Sequence, residues 1–358
     1  MILTDIRLQQ YRSYKDASFD LGEGVNIVVG PNAAGKTNLL EAVMMACIGK
    51  SYRAKDPVLV QNEAVWARID THTNENVART VKLQYDGSGR LVKTFEIDGK
   101  QVKRLSQDQK QPIVLFEPND MQLIEGEPVD RREYLDNLIE QYLSGYDKLQ
   151  NQYRRVLAQR NALLKQSSQA GTQMFAWNLR LTDLGEQIIK KRLQLIASIN
   201  EAISTTYSSI AKQDKKVSLV YESSIDTDNY STALLKKLET SIELDLARGF
   251  TGSGPHRDDF TIMFGDQPAL LSASRGEIRT LMLSLKIIEL KVLEKILEVR
   301  PILLLDDVFS ELDGARRRAL TRFLNNYQTI ITTTDADTVI DKFIDNYTVL
   351  PIGANTSY

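Results

Sequence analysis

Apolar residues alternate with polar ones near the start of the chain, at Ile2, Ile6 and Leu8 and again at Ala17 and Phe19, and then merge into the unbroken run Val25 to Val29. Alternation marks a half-buried strand, and an unbroken apolar run marks a strand covered on both faces. These residues therefore predict the edge and centre of a sheet. From Asn38 to Cys47 the spacing turns helical, and Gly49 to Pro57 is a short basic and polar loop. Alternation returns between Val58 and Ile97, where Val81 to Tyr85 and Leu91 to Phe95 flank Asp86-Gly87-Ser88-Gly89 and a second turn follows at Asp98-Gly99. A twisted antiparallel meander accounts for that pattern. Pro112 to Phe116 is another strand, stopped by Glu117-Pro118-Asn119-Asp120.

Helical periodicity dominates from Arg131 to Ala211, with a Ser/Gln/Gly break near Gln166 to Thr172. It predicts a short two-helix arm, with Leu143, Leu149, Val156 and Leu163 on one side of the seam and Leu181, Leu184, Ile188 and Leu195 on the other. At 1.5 Å per residue, about 25 residues per helix reach roughly 35 to 40 Å, far short of a long coiled coil. Val217 to Tyr221 reads as strand, Ser231 to Leu246 as helix and Asp259 to Phe264 as strand. The remainder alternates helix and strand in the α/β manner: Glu277 to Leu297, Ile302 to Leu305, Ala315 to Asn325 and Thr329 to Thr332. The expected organisation is an α/β lobe in two pieces, 1–117 and 299–358, around a helical lobe, 118–298.

With 358 residues, 42% hydrophobic and 26% charged, the chain has the make-up of a globular protein of two domains or lobes. Its apolar runs are too short to cross a bilayer, and Met1-Ile2-Leu3-Thr4-Asp5 lacks a basic-then-apolar leader, so a cytoplasmic protein with no membrane partner is expected. The single cysteine, Cys47, falls in the apolar pattern of the first helix and is expected to be a buried small hydrophobe. A net charge of −2 leaves any nucleic-acid contact to a local patch.

Between the apolar run and the first helix stands Gly30-Pro31-Asn32-Ala33-Ala34-Gly35-Lys36-Thr37, in the strand-loop-helix context of a phosphate-binding loop. Backbone N–H groups and the helix dipole there favour a triphosphate; Lys36 would reach its β- and γ-phosphates, and Thr37 would give its hydroxyl to Mg²⁺. Ile302 to Leu305 is a buried-strand run that ends in Asp306-Asp307. Asp306 is placed to hold the Mg²⁺ shell opposite Thr37, and Asp307 to orient or deprotonate the attacking water. Upstream, Ser274-Arg275-Gly276-Glu277 opens a long amphipathic helix, and is either an ordinary helix cap or a second anion-binding turn. The order of loop, serine turn and carboxylate strand distinguishes ABC-type ATPases, in which the serine turn of one subunit closes on the γ-phosphate bound by another. The fold class expected is therefore α/β: an ABC-type P-loop ATPase head, with a mixed sheet and β-meander, plus the helical lobe and its short arm.

Further strings narrow the family. Gln10-Tyr11-Arg12-Ser13-Tyr14, Gly49-Lys50-Ser51-Tyr52-Arg53, Asp130-Arg131-Arg132-Glu133-Tyr134-Leu135-Asp136, Arg160-Asn161, Gly254-Pro255-His256-Arg257-Asp258-Asp259 and Ser310-Glu311-Leu312-Asp313 resemble, in order over nearly the whole chain, the RecF family of bacterial recombination-mediator ATPases in the SMC superfamily. The resemblance implies binding of ATP and Mg²⁺, a homodimer formed on ATP, contact with double-stranded and gapped DNA, slow DNA-stimulated hydrolysis, and work with RecR and RecO to help load RecA. It also implies that Gly30, Asn32, Gly35, Lys36, Thr37 and Asn38 hold the nucleotide, that Arg12 approaches its phosphates, that Ser274, Gly276 and Glu277 act from the partner subunit, and that Asp313 lies in the loop crossing the dimer interface.

Several positions depart from the family pattern. Ala33-Ala34 replaces a more usual glycine, so each alanine either keeps a negative φ or is strained. Asp307 is one methylene shorter than the usual catalytic Glu, which implies slow turnover. Where transporters keep a histidine this chain has Thr332-Thr333-Thr334-Asp335, and a threonine hydroxyl of that string, Thr334 before the others, is expected to sense the γ-phosphate. His256, as a lone histidine in a turn, reads as structural, while the family string around it leaves a functional role open; His72 reads as incidental. The DNA candidates are Lys50, Arg53 and Lys55 in the loop and Lys148, Arg154, Arg155, Arg160 and Lys165 in the arm, where a solvated helix face would look similar; their low aromatic content favours duplex backbone over stacked single strands. An SMC-like chromosome organiser would need a far longer arm, and a transporter ATPase a histidine and a membrane partner.

Overall fold

The computed structural model describes residues 2–165, 171–335 and 347–353, so most of the break expected near Gln166 to Thr172 lies outside the described residues. The chain divides into two compact units, 1–120 with 282–358, and 121–281. In order, the first unit begins with β1 (Leu3–Tyr11), β2 (Tyr14–Asp20), β3 (Val25–Val29), α1 (Lys36–Ile48), the single turn α2 (Asp56–Leu59), β4 (Trp66–Thr73), β5 (Ala78–Tyr85), β6 (Leu91–Ile97), β7 (Lys100–Val102) and β8 (Ile113–Phe116). The second holds α3 (Gln122–Glu125), α4 (Pro128–Tyr142), α5 (Tyr146–Lys165), α6 (Gly171–Ala211), β9 (Val217–Glu222), α7 (Tyr230–Thr240), α8 (Ile242–Arg248), β10 (Asp259–Phe264), β11 (Gln267–Pro268), α9 (Ala269–Ser272) and the start of α10 (Arg275–Leu297). The first unit then resumes with β12 (Ile302–Asp306), α11 (Val308–Glu311), α12 (Gly314–Leu324), β13 (Thr329–Thr333) and β14 (Tyr347–Pro351).

Two sheets build the first unit. One is all parallel, in the order β14-β3-β13-β12-β8, and the other is an antiparallel meander, β2-β1-β4-β5-β6-β7. Thus β1 and β2 pair with the meander, and only β3 feeds the phosphate loop from the parallel sheet. The apolar runs of β3, β12 and β13 are buried on both faces, as a covered parallel sheet requires. Helix α1 contacts strands of both sheets, and Leu39, Leu40, Val43, Met45, Ala46 and Cys47 are all buried. That enclosure explains a helix apolar all round, and it makes Cys47 the buried small hydrophobe expected.

In the second unit α5 and α6 pack together, and α6 also packs on α7 and β9. The seam on α6 includes Leu181, Leu184, Ile188 and Leu195, as expected. On α5 the expected Val156 lies in the seam and Leu149 packs against it, with Tyr146, Tyr153 and Leu164 buried beside them, whereas Leu143 lies beyond the end of α4 and outside α5. At 41 residues, α6 is much longer than expected and is buried on one face from Met174 to Ile210, with Leu234 and Leu238 of α7 joining the core. The helix expected from Ser231 to Leu246 is broken at Ser241, whose hydroxyl donates to the Lys237 carbonyl at 2.7 Å and so competes with the backbone.

Candidate nucleotide site and nucleic-acid contacts

Parallel register sets the site. β3, β12 and β13 are neighbours, so the loop after Val29, the carboxylates after Leu305 and the threonines at the end of β13 emerge at one edge of the sheet. Ligands of open α/β sheets bind outside the carboxyl ends of the strands. Gly30 is required by close approach: a Cβ there would stand 2.3 Å from the Ile352 carbonyl oxygen, just beyond β14. Gly35 has φ 103°, and its Cβ would meet Ser13 Oγ at 2.7 Å. Ala33 takes φ 64°, so of the two alanines it is Ala33 that carries left-handed strain, at about 1–2 kcal/mol.

Lys36 Nζ donates to the carbonyls of Gly30 and Pro31 at 2.7 and 3.0 Å, inside the loop. Burial lowers its pKa, while Asp307 and Asp306 pull it back up. Thr37 Oγ1 donates to Asp306 Oδ1 at 2.9 Å, joining the two residues expected to hold Mg²⁺. Asn38 donates to Ser13 Oγ at 2.9 Å, and Tyr14 Oη to the Gly35 carbonyl at 3.0 Å. Arg12 grips the buried Glu41 of α1 through Nε and Nη2 at 2.8 and 2.9 Å, beside Asn38 in a shared pocket. Three residues of the string Gln10 to Tyr14 therefore brace the loop and its helix.

Two residues meet Asp306 in roles that the sequence did not assign to them. Thr332 is fully buried; its hydroxyl donates to Asp306 Oδ1 at 2.9 Å and accepts from the Asp307 N–H at 2.9 Å. The signal was register, since Thr332 lies directly opposite Asp306. Thr334 is exposed beyond the end of β13. Tyr52 Oη donates to Asp306 Oδ2 at 3.2 Å, from the loop read as a basic and polar surface segment and as a family string with no role given to the tyrosine. Strand β14 was also missed, although Tyr347 to Leu350 is rich in β-formers. Asp307 adopts φ 54°, a left-handed backbone conformation at the end of β12.

Ser274 and Glu277 form a reciprocal capping box at the start of α10: Ser274 Oγ and N both donate to Glu277 Oε2 at 2.7 Å, and Glu277 N donates to Ser274 Oγ at 3.3 Å. Ser274 is exposed, and Gly276 follows in the first turn. Asp313 caps α12, accepting from the Arg316 N–H at 2.9 Å, and this bond lowers its pKa.

Of the DNA candidates, Arg53 and Lys55 are exposed and, with Arg12 and Asn38, line a pocket of ≈ 420 Å³; Lys50 is half-buried in the same loop. Arg154 and Arg155 are exposed on α5. Arg160 is not a surface residue, contrary to expectation. It is 0% exposed and paired with Asp245 at 2.8 Å, because it lies on the buried seam of α5. His256 is held through both ring nitrogens: Tyr153 Oη donates to Nδ1 at 2.7 Å, Nε2 donates to the Thr251 carbonyl at 3.1 Å, and burial depresses its pKa to about 4. His72 pairs with Asp5 at the surface.

The family model described as AAA domain matches residues 5–246. The DNA replication and repair protein RecF of Lactobacillus gasseri is 33% identical over 371 residues, covering 99% of this chain and 98% of that one. A solved structure of the recombination mediator protein RecF with ATP, from the RecFOR pathway, matches with TM-score 0.87 at 28% identity, over 99% of this chain and 96% of that chain. The Smc head bound to the C-winged helix domain of ScpA shares the fold, with TM-score 0.53 at 14% identity over 96% and 92% of the two chains.

Proposed function

The chain belongs to the RecF family of DNA replication and repair ATPases, and we propose that it acts there as an ATP-switched clamp on duplex DNA at gaps. The observation that carries this is the pairing of Thr37 with Asp306 at 2.9 Å beneath a loop whose lysine is drawn inward. A hydroxyl and a carboxylate so placed suit Mg²⁺, a hard cation that prefers oxygen ligands. Bound there, Mg²⁺ would neutralise charge on the β- and γ-phosphates. Backbone N–H groups between Asn32 and Thr37 and the N-terminus of α1 receive the phosphates, with Asn32, Gly35, Asn38 and Arg12 completing the cradle. Lys36 exchanges the Gly30 and Pro31 carbonyls for phosphate oxygens. Asp307 orients the attacking water, and its short side chain makes turnover slow.

Ser274, Gly276 and Glu277 act from a second copy on the γ-phosphate, with Asp313 beside that interface and Thr334 as the sensor. Lys50, Arg53, Lys55, Arg154 and Arg155 contact DNA phosphates, so duplex DNA raises hydrolysis. The protein works in the cytoplasm with RecR and RecO to help load RecA. An SMC-like organiser is disfavoured because the longest helix among the described residues has 41 residues. A transporter subunit is disfavoured for want of the histidine.

Gel filtration with and without ATP tests the switch. Wild type is expected to dimerise on ATP, and Lys36→Ala and Ser274→Arg are not. A Lys36→Ala protein that still dimerised and bound DNA would sink the switch, and an unchanged Ser274→Arg dimer would remove Ser274 from the interface. Thermal unfolding separates the loss of the cap itself, about 1 kcal/mol.

A further inference from the structure

We propose that Tyr52 is a positioning residue for the Asp306 carboxylate, and that it ties this carboxylate to Arg53 and Lys55, the cations of its own loop. Three hydroxyls from three separate segments end on Asp306. Thr37 and Thr332 both donate to Oδ1 at 2.9 Å, which fills the two lone-pair sites of that oxygen. Oδ2 is then the oxygen left to face a hydrated cation, and Tyr52 donates to it at 3.2 Å. The phenol thereby fixes the carboxylate plane at a third point. Its bond is the longest of the three, and so the first to break when its segment moves.

That segment has no regular structure of its own. On one side it is pinned to α1, since the Ser51 hydroxyl donates to Glu41 and accepts the N–H groups of Arg53 and Ala54 at 3.1 and 3.0 Å. On the other it presents Arg53 and Lys55 to the pocket shared with Arg12 and Asn38. Tyr52 and Arg53 are adjacent, so an anionic backbone held by Arg53 and Lys55 acts on the residue that holds Asp306. Resting on the assignment of this loop to DNA contact, the link gives duplex DNA a route to the metal carboxylate that requires no movement of β12 or α1.

The test titrates Mg²⁺ into full-length protein with a fluorescent ATP analogue, with and without duplex DNA, for wild type, Tyr52→Phe, and Arg53→Gln with Lys55→Gln. Loss of a hydrogen bond to a charged group is expected to raise the Mg²⁺ midpoint about tenfold in Tyr52→Phe. DNA is expected to shift the wild-type midpoint about threefold or more and to leave that of Tyr52→Phe unmoved. The exposed Arg53 and Lys55 pair carries little folding risk, and its variant is expected to lose the DNA-induced shift. A Tyr52→Phe midpoint within twofold of wild type overturns the positioning role. A DNA-induced shift that survives in either variant, or is missing in DNA-bound wild type, overturns the link. Failure of wild type itself to bind nucleotide or DNA overturns instead the assigned function.

Discussion

Arg160→Ala separates a brace from a DNA contact. The guanidinium gives Nη1 to Asp245 Oδ2 at 2.8 Å and to Thr251 Oγ1 at 2.7 Å, Nε to Asn178 Oδ1 at 2.7 Å, and Nη2 to the Leu238 carbonyl at 3.4 Å. Truncation strands Asp245, 1% exposed, with the Gly252 N–H at 3.1 Å as its remaining donor. Breaking a buried ion pair from one side costs about 3–5 kcal/mol, and the three further acceptors place Arg160→Ala at the upper end. Against a typical stability of roughly 5–15 kcal/mol, that brings the second unit close to unfolding. Urea denaturation should show the loss, and Arg160→Met with Asp245→Leu should recover most of it, since an apolar pair leaves no stranded charge. Binding of duplex DNA across a salt series gives the independent readout. Folded Arg160→Ala should keep the wild-type slope, whereas Arg154→Gln with Arg155→Gln should lose about 0.9 per phosphate contact. A stability loss below about 1 kcal/mol, or a slope reduced in Arg160→Ala, would mean that the side chain reaches solvent and phosphate.

Burial depresses the His256 pKa from 6.5 to about 4, so the unfolded chain binds the extra proton first and stability falls as pH drops from about 6.5 towards 4. At about 1.4 kcal/mol per pH unit this amounts to roughly 3 kcal/mol, and denaturation at several pH values should show the slope flatten in His256→Gln; Asp258, whose carboxyl burial pushes up, acts in the opposite sense in both proteins. Ala33→Gly should be neutral or stabilising by up to about 1 kcal/mol, because relief of left-handed strain outweighs added chain entropy, whereas Ala34→Gly should cost about 0.5–1 kcal/mol; equal melting shifts would count against the strain. Thr332→Val should lose about 1–3 kcal/mol by orphaning the Asp307 N–H and should slow hydrolysis, while exposed Thr334→Val should stay within about 0.5 kcal/mol and affect turnover alone; similar melting curves for the two would contradict the geometry.

Local chemistry was legible because it depends on neighbours in the chain. The phosphate loop, the meander turns, the carboxylate strand and the capping potential of Ser274 and Glu277 are each contained within a few residues. What escaped depends on register between distant segments. Thr332 meets Asp306 across 26 residues of chain and Tyr52 meets it across 254, and no periodicity within one element points to either pairing. Arg160 was a different kind of error, and a correctable one. It stands four residues after Val156 and four before Leu164, both buried, so helical spacing alone places it on the seam. Its charge outweighed its position in the expectation.

The family strings divide by the work their charges do. In the second unit, Arg131 takes Asp259 through two bonds of 2.8 Å, Arg132 donates to the Asp258 carbonyl at 2.9 Å, and Asp136 receives Arg192, which also holds the Pro255 carbonyl at 2.7 Å. The two strings thus brace each other, through charges that are at least half-buried and each find a partner. In the first unit the strings end instead on a site whose backbone is strained at Arg12, Ala33 and Asp307, with φ of 52°, 64° and 54°. Such strain persists only where surrounding bonds over-determine the conformation. Here Arg12 is fixed by Glu41, and Asp307 by Thr332. The nucleotide site is therefore shaped before a phosphate arrives, and the loop of Tyr52 reaches it through the 3.2 Å bond to Asp306 and through Ser51 on Glu41.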